Sequence, residues 1–283
     1  MQIWQAIILG AVQGFAEFLP VSSSGHLILM QRWLGINAES GGLFFDVMLH
    51  VGTLIPLFMV FFSEIMELFR RPAPVTIQNT DGTTTQKRPL FNKKLIYLVI
   101  ATIPVGVIGL FLSDYVEGVF YKGDNLAACL LAGTFVLTAI ELLVSEIVSK
   151  KSKRQLPLNH KNTLFMGFMQ GVAALPGLSR SGTVISAGCF AGVKREENAN
   201  FSFLLSIPVI LGAALVECVK LIKQGVVIDA VPLIFGMLTA ALTGYIAINT
   251  MLKVVKKANY KWFSLYLVLI AAASVITKLV FNI

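Results

Sequence analysis

Two stretches set the terms for this chain: residues 3–31 and 163–193 are apolar at both ends and broken in the middle by proline, glycine and serines. Facing lipid, such a break would strand peptide N–H and C=O groups with neither water nor helical partners, so it must be enclosed by protein or line a polar cavity. Each stretch therefore reads as a re-entrant helix–loop–helix hairpin. Around them lie six uninterrupted apolar runs, at residues 43–63, 95–113, 127–148, 201–221, 231–252 and 262–281. Each is near the roughly 20 residues that a helix needs to cross a bilayer. Composition agrees: 56% of residues are hydrophobic and 13% charged, against about a quarter charged in a soluble domain. The expected fold class is an all-α polytopic membrane protein with six transmembrane helices and two re-entrant hairpins.

Basic residues decide how these elements are threaded. Loop 64–94 holds Arg70, Arg71, Lys87, Arg88, Lys93 and Lys94; loop 149–162 holds Lys150, Lys151, Lys153, Arg154 and Lys161; loop 253–261 holds Lys253, Lys256, Lys257 and Lys261. The positive-inside rule puts all three in the cytoplasm. Loop 114–125, with Asp114, Glu117 and Asp124 against Lys122, belongs outside. Between the second and third basic loops, spans 201–221 and 231–252 make one round trip. Segment 163–193 must then return to the side it left, which requires a hairpin independently of its broken hydropathy. Each hairpin is followed by three spans, and an odd number inverts the second unit relative to the first. The expectation is one integral membrane domain: repeat 1 at 1–148, a cytoplasmic linker at 149–162, repeat 2 at 163–283, and both termini outside. Inverted repeats whose broken helices meet near the midplane are a common plan for handling polar cargo in a membrane.

The net charge of +8 sits in these short loops, which suits topology signals and points away from nucleic acid. Cys129, Cys189 and Cys218 are far apart in apolar contexts, without the spacing of a zinc site or a disulfide framework. The N-terminus has no basic region followed by a small-residue cleavage site, so no removable signal peptide is expected. Trp4 and Trp33 at the outer surface, and Tyr260 and Trp262 at the inner one, read as interfacial anchors. The Thr/Gln-rich stretch 75–88 reads as a polar loop.

The two breaks carry one phrase twice: "QGFAEFLPVSSSGH" at 13–26 and "QGVAALPGLSRSGT" at 170–183. An ionisable group at membrane depth is a functional candidate by default, and Glu17 and Arg180 are the strongest, each alone in an otherwise uncharged segment. Gln13 and Glu17 are four apart and share a helix face. Together they could hold a hard cation such as Mg²⁺ or Ca²⁺, or form a hydrogen-bonded pair that packs the hairpins. Gly-punctuated turns leading into helices present free amides to an anion, and an arginine fork suits phosphate. Capping explains one hydroxyl per hairpin, but not Ser22, Ser23, Ser24, Ser179, Ser181 and Thr183 together with Arg180. His26, three residues after Ser23, is a candidate base or acid beside a candidate nucleophile, or else a satisfied structural histidine. Asp46 and His50, four apart, either border a site opening outward or mark a helix end. Glu141 and Glu217 sit nearer span ends, where structural pairing or solvation accounts for them.

Both phrases resemble the signature motifs of the undecaprenyl pyrophosphate phosphatases, also called bacitracin resistance proteins. The first motif runs from Glu or Gln through Glu to Leu-Pro-Val-Ser-Ser and Gly-His; the second is Pro-Gly-x-Ser-Arg-Ser-Gly. The resemblance spans the whole chain. It implies hydrolysis of the polyprenyl diphosphate carrier to its monophosphate, recycling it for peptidoglycan and other envelope polymers. It further implies a divalent cation, Mg²⁺ or Ca²⁺, and residence in the bacterial plasma (inner) membrane with the site open to the outer face. The partners implied are the lipid substrate and membrane lipids, with a homodimer among the assemblies allowed. By position, Glu17 takes the motif's second acid, acting on metal or nucleophile, and Ser23 the proposed nucleophile. His26 takes the motif histidine and Arg180 the phosphate grip. Ser22, Ser24, Ser179, Ser181 and Thr183 line the phosphate. Gln13 stands where some members have Glu, one negative charge fewer at the metal position.

Two mechanisms remain open: attack by Ser23 with His26 or Glu17 taking its proton, or attack by a metal-activated water with Ser23 only positioning phosphate. A transporter or lipid flippase shares the architecture, so only phosphate chemistry separates it from an enzyme. A scaffold leaves Glu17 and Arg180 unexplained.

Overall fold

The computed structural model describes residues 1–36, 42–78, 84–122, 124–151, 155–224, 229–257 and 259–281. Lys153 and Arg154 of the second basic loop lie outside them. The chain begins with α1 (Ile3–Phe18) and α2 (Ser23–Trp33), continues through α3 (Gly42–Val60) and α4 (Phe62–Phe69), then α5 (Lys93–Phe120) and α6 (Asn125–Lys151). The second half runs α7 (His160–Val172), α8 (Arg180–Phe190), α9 (Arg195–Gln224), α10 (Ala230–Lys257) and α11 (Lys261–Phe281). Six of these, α3, α5, α6, α9, α10 and α11, are long and apolar enough to cross a membrane, and they match the six predicted runs.

Two details differ from the sequence reading. Stretch 75–88 contains a hairpin, β1 (Val75–Gln78) against β2 (Thr84–Lys87), antiparallel with Val75 opposite Lys87 and Gln78 opposite Thr84. Threonine-rich segments favour the extended backbone, so a polar loop here pairs with itself. Tyr260 is fully buried rather than interfacial. Its amide and that of Lys261 donate to Glu146 Oε2 on α6 at 2.7 and 3.0 Å, and that carboxylate draws the start of α11 inward. Trp4, Trp33 and Trp262 are exposed, as anchors require.

Each predicted break is a helix–break–helix unit with its own means of satisfying the backbone. Pro20 disfavours helical geometry at the residue before it, and Leu19 is extended (φ −80°, ψ 147°), ending α1. Ser22 then takes φ 67°, the only positive φ outside glycine among the described residues. Its side chain accepts from Gly25 N at 3.3 Å, capping α2. In the second unit the turn falls on Gly177 at φ 89°, where a Cβ would overlap Thr134 Oγ1. Two threonines of α6 serve this break. Thr134 Oγ1 donates to the Pro176 carbonyl at 2.6 Å, Thr138 Oγ1 donates to that of Gly177 at 3.0 Å and accepts from Ser179 N at 3.1 Å. Ser179 caps α8 by accepting from Gly182 N at 3.1 Å, repeating the Ser22 cap.

The two breaks touch. A Cβ on Gly25 would come within 2.9 Å of Gly177 Cα, so the close approach requires the missing side chain. Around this junction one hydrophobic cluster draws on both halves, with Phe18, Phe61, Phe135, Ile185 and Phe203 buried in it. A smaller one, Ala6, Leu9, Leu27, Phe45 and Leu49, ties α1 and α2 to α3. The outer surfaces of the long helices are apolar and exposed, as at Phe111, Leu215 and Leu242, the reverse of a soluble protein and suited to lipid.

Candidate active site

The last turn of α1, the first residue of α2, the middle of α3 and the first residue of α8 converge on one carboxylate. Glu17 Oε2 accepts from Gln13 Nε2 at 3.0 Å and from Ser23 Oγ at 2.6 Å. Arg180 Nη2 reaches across from the other unit to Glu17 Oε1 and Oε2 at 3.1 and 3.2 Å. His50 Nε2 lies 3.3 Å from Glu17 Oε2 and 3.3 Å from Ser23 Oγ. Gln13, Ser23 and His50 are buried, and the Glu17 side chain is only 7% exposed against 22% for Arg180. Arg180 is the more open side of the cluster, and Glu17 engages it through Nη2.

Local geometry aims the groups. The strained Ser22 backbone swings the chain so that Ser23 opens α2, and sparsely populated dihedrals of this kind collect at functional positions. Ser23 is the first residue of α2, so a helix N-terminus, the end that favours anions, begins at this cluster.

The sequence candidates divide into two groups. Gln13, Glu17, Ser23 and Arg180 come together. Ser22 and Ser179 are helix caps, and Ser181 Oγ donates to the Leu19 carbonyl at 3.3 Å, joining the two breaks. Ser24 is half-buried on the first turn of α2. Thr183 Oγ1 donates to Glu141 Oε2 of α6 at 2.7 Å, so its hydroxyl proton is committed. Both ring nitrogens of His26 are engaged: Nδ1 donates to the Ser22 carbonyl at 2.7 Å, and Nε2 accepts from Tyr266 OH of α11 at 2.8 Å. The Tyr266 ring stacks on it at 5.6 Å. The imidazole that lies on Ser23 belongs to His50. Its Nδ1 donates to the Asp46 carbonyl at 2.7 Å, while the Asp46 side chain accepts from Gln31 Nε2 at 2.6 Å and Tyr121 OH at 2.7 Å. The sequence reading had His50 only as the partner of Asp46 four residues away, bordering a site or marking a helix end; it had Glu141 as structural, and Tyr266 carried no signal.

The donor set bears on a divalent cation. Among the described residues no group of three or more His, Cys, Asp or Glu side chains is placed to share an ion. Glu17 and the side-chain carbonyl oxygen of Gln13, buried without a partner, offer two protein ligands. That fits Mg²⁺ bound chiefly by substrate phosphates with one or two protein ligands, not a dedicated cage.

Comparison with known proteins supplies the family. The profile of the family described as bacitracin resistance protein BacA matches residues 6–273. A protein named undecaprenyl-diphosphatase in Methanosphaera stadtmanae is 39% identical over 287 residues, covering 99% of each chain. One of the same name in Carboxydothermus hydrogenoformans is 36% identical over 269 residues, 94% of each, and one in Methanobrevibacter smithii is 40% identical over 271 residues, 94% of each. A profile spanning nearly the whole chain, with relatives aligned end to end, places this chain in the bacitracin resistance protein BacA family.

Proposed function

We propose that this chain hydrolyses undecaprenyl diphosphate to undecaprenyl phosphate and inorganic phosphate, recycling the lipid carrier for envelope polymers and thereby conferring bacitracin resistance. One observation carries the reading beyond family membership: a serine hydroxyl bonded to a buried carboxylate that an arginine from the other unit neutralises. A carrier needs groups that bind; this arrangement also holds a nucleophile against a proton acceptor.

In the mechanism we infer, the diphosphate head takes Arg180 onto its terminal phosphate, releasing Glu17 from its ion pair. The Ser23 Oγ–H proton passes to Glu17 Oε2 as Oγ bonds to the terminal phosphorus, and the bridging P–O bond breaks, leaving the lipid monophosphate with both electrons. Water then attacks the phosphoserine, the proton on Glu17 returns to Oγ, and inorganic phosphate departs with the protons of the water. Arg180 and the amides at the start of α2 stabilise the equatorial oxygens. Glu17 and Gln13 Oε1 are the residues that would hold a divalent cation, Mg²⁺ or Ca²⁺, which would supply charge neutralisation at the diphosphate.

The finer architecture belongs to the same proposal: two re-entrant hairpins in an inverted repeat of a multi-pass plasma-membrane protein, with both termini and the site opening on the outer side. Equivalences between the halves support it. The Ser22 and Ser179 caps are alike, and α1 lies on α10 through Gly10 and Gly14 as α7 lies on α5 through Gly167 and Gly171.

The test is phosphate release from undecaprenyl diphosphate by the detergent-purified protein, beside the Glu17→Ala and Arg180→Ala variants. Release by the wild type and loss of at least about 100-fold in either variant is expected from removal of a proton acceptor or charge stabiliser. No release by the wild type, with movement of labelled lipid across liposomes, would make the protein a carrier.

A further inference from the structure

We propose that Glu141 of α6 is a positioning residue for Arg180: through Thr183 it holds the first turn of α8 so that the arginine fork meets the diphosphate. The inference rests on the phosphatase reading above and adds to it a residue outside both signature phrases.

Glu141 lies inside a helix long and apolar enough to cross a membrane, where a carboxylate is expensive to place and calls for a reason. The reaction described above does not use it. Its Oε2 accepts from Thr183 Oγ1 at 2.7 Å, and its backbone carbonyl accepts from Ser186 Oγ at 3.4 Å. Thr183 and Ser186 are buried, each 1% exposed, on the first two turns of α8. The bond to Thr183 holds in either protonation state of Glu141, since a hydroxyl donates to a carboxylate or to the carbonyl oxygen of an acid.

Thr134, Thr138 and Glu141 are spaced four and three apart, so they share one face of α6. That face runs alongside the second break. Thr134 takes the Pro176 carbonyl, Thr138 the Gly177 carbonyl and the Ser179 amide, and Glu141 the Thr183 hydroxyl. Arg180 falls between the last two attachments. Thr183 N in turn donates to the Ser179 carbonyl at 2.7 Å, closing the turn that carries the arginine. The two threonines fix where the chain enters α8, and Glu141 fixes the direction in which the helix leaves.

The first unit repeats this device with other groups. The equivalent caps Ser22 and Ser179 put Ser23 opposite Arg180 and His26 opposite Thr183. His26 takes the hydroxyl of Tyr266 on α11, in the second half, as Thr183 gives its own to Glu141 on α6, in the first half. In each unit the residue three past the functional one is tethered to the last long helix of the other half. Helices α6 and α11 pack on each other, so both tethers stand on one support.

The need for the tether follows from the mechanism. Arg180 rests on Glu17 and must pass to the terminal phosphate. During that exchange the ion pair no longer holds it, and the aim of the fork is set by the backbone of the first α8 turn. A long side chain magnifies any tilt at its base, and a displacement of about 1 Å near the reacting atoms costs on the order of 100-fold in rate.

The experiment measures kcat/KM for undecaprenyl diphosphate hydrolysis by the full chain in detergent, for wild type, Glu141→Leu, Glu141→Gln and Thr183→Val. The Leu and Val variants are also combined with Arg180→Ala, assayed at raised enzyme concentration, and every variant is checked by its thermal transition. Glu141→Leu and Thr183→Val break the bond from opposite ends, and each is expected to lower kcat/KM by at least about 10-fold. Glu141→Gln keeps an oxygen for the hydroxyl and is expected to stay within about 3-fold of wild type. With Arg180→Ala no fork is left to aim, so adding Glu141→Leu is expected to cost less than about 3-fold further, whereas a residue that only supports the fold would cost as much as in wild type. A loss below about 10-fold in either Glu141→Leu or Thr183→Val, a Gln variant no better than the Leu variant, or an undiminished loss beside Arg180→Ala overturns the proposal. If Glu141→Leu does not fold, Thr183→Val, alone and with Arg180→Ala, carries the same test. A wild type that releases no phosphate sinks the phosphatase reading itself, whereas wild-type release beside a normal Glu141→Leu enzyme sinks the positioning role alone.

Discussion

Glu17 joins more of this site than any other side chain, since its two oxygens meet groups from α1, α2, α3 and α8. Replacing it with Gln keeps the shape but removes the charge and the proton acceptor. Glu17→Gln is expected to cut kcat for phosphate release by about 1,000-fold, the range for loss of a positioned base, in a protein that still purifies folded. Arg180 grips Glu17 through a single nitrogen, leaving the rest of a planar fork for phosphate. Lysine cannot reproduce that fork, so Arg180→Lys is expected to lower kcat/KM by at least about 10-fold, measured in the same assay. Gln13, Glu17, Ser23 and Arg180 were legible because a charged or hydroxyl group in an apolar run is expensive to place there. Pairing was less legible. His26 follows Ser23 closely in sequence, yet Tyr266 of a distant helix takes its ring, and the imidazole that meets Ser23 arrives on α3. Sequence spacing put His26 beside Ser23, and only tertiary contact brings His50 there.

At the scale of the element, the breaks were legible and their supports were not. Proline, glycine and serine announced where α1 and α7 stop, but Thr134 and Thr138 looked like ordinary residues of span 127–148 until the turn packed on them. Gly177 combines φ 89° with contact against Thr134. Gly177→Ala is therefore expected to destabilise the fold by about 1–3 kcal/mol, seen as a lower thermal transition in detergent. Thr134→Val leaves the Pro176 carbonyl without its donor, at an expected cost of about 1–3 kcal/mol for a buried unpaired acceptor. A thermal transition unchanged in both variants would mean that the second break does not depend on α6. The short hairpin at Val75–Lys87 escaped the sequence reading because a polar strand pair carries no apolar alternation.

For the whole molecule, hydropathy alone yielded six helices able to cross a membrane, while the direction of each crossing comes from charge. The inverted arrangement we propose puts Arg70 and Lys150 on one side of the membrane and Asp124 on the other. With Cys129, Cys189 and Cys218 replaced, a cysteine at position 124 is expected to react with an impermeant thiol reagent in intact cells, and cysteines at 70 and 150 only after lysis. The reverse pattern would invert the orientation. Such an arrangement explains why the two copies of one phrase diverged: opposite orientations bring their tips together, so one copy can carry the serine and carboxylate while the other supplies the arginine. The most direct measurement of that division of labour is rapid acid quenching of the enzyme with undecaprenyl diphosphate radiolabelled in its terminal phosphate. The label is expected on the peptide spanning residues 13–26 in wild type and nowhere in Ser23→Ala, which should release no phosphate. Free phosphate without a labelled peptide, together with a Ser23→Ala enzyme that turns over normally, would contradict the account.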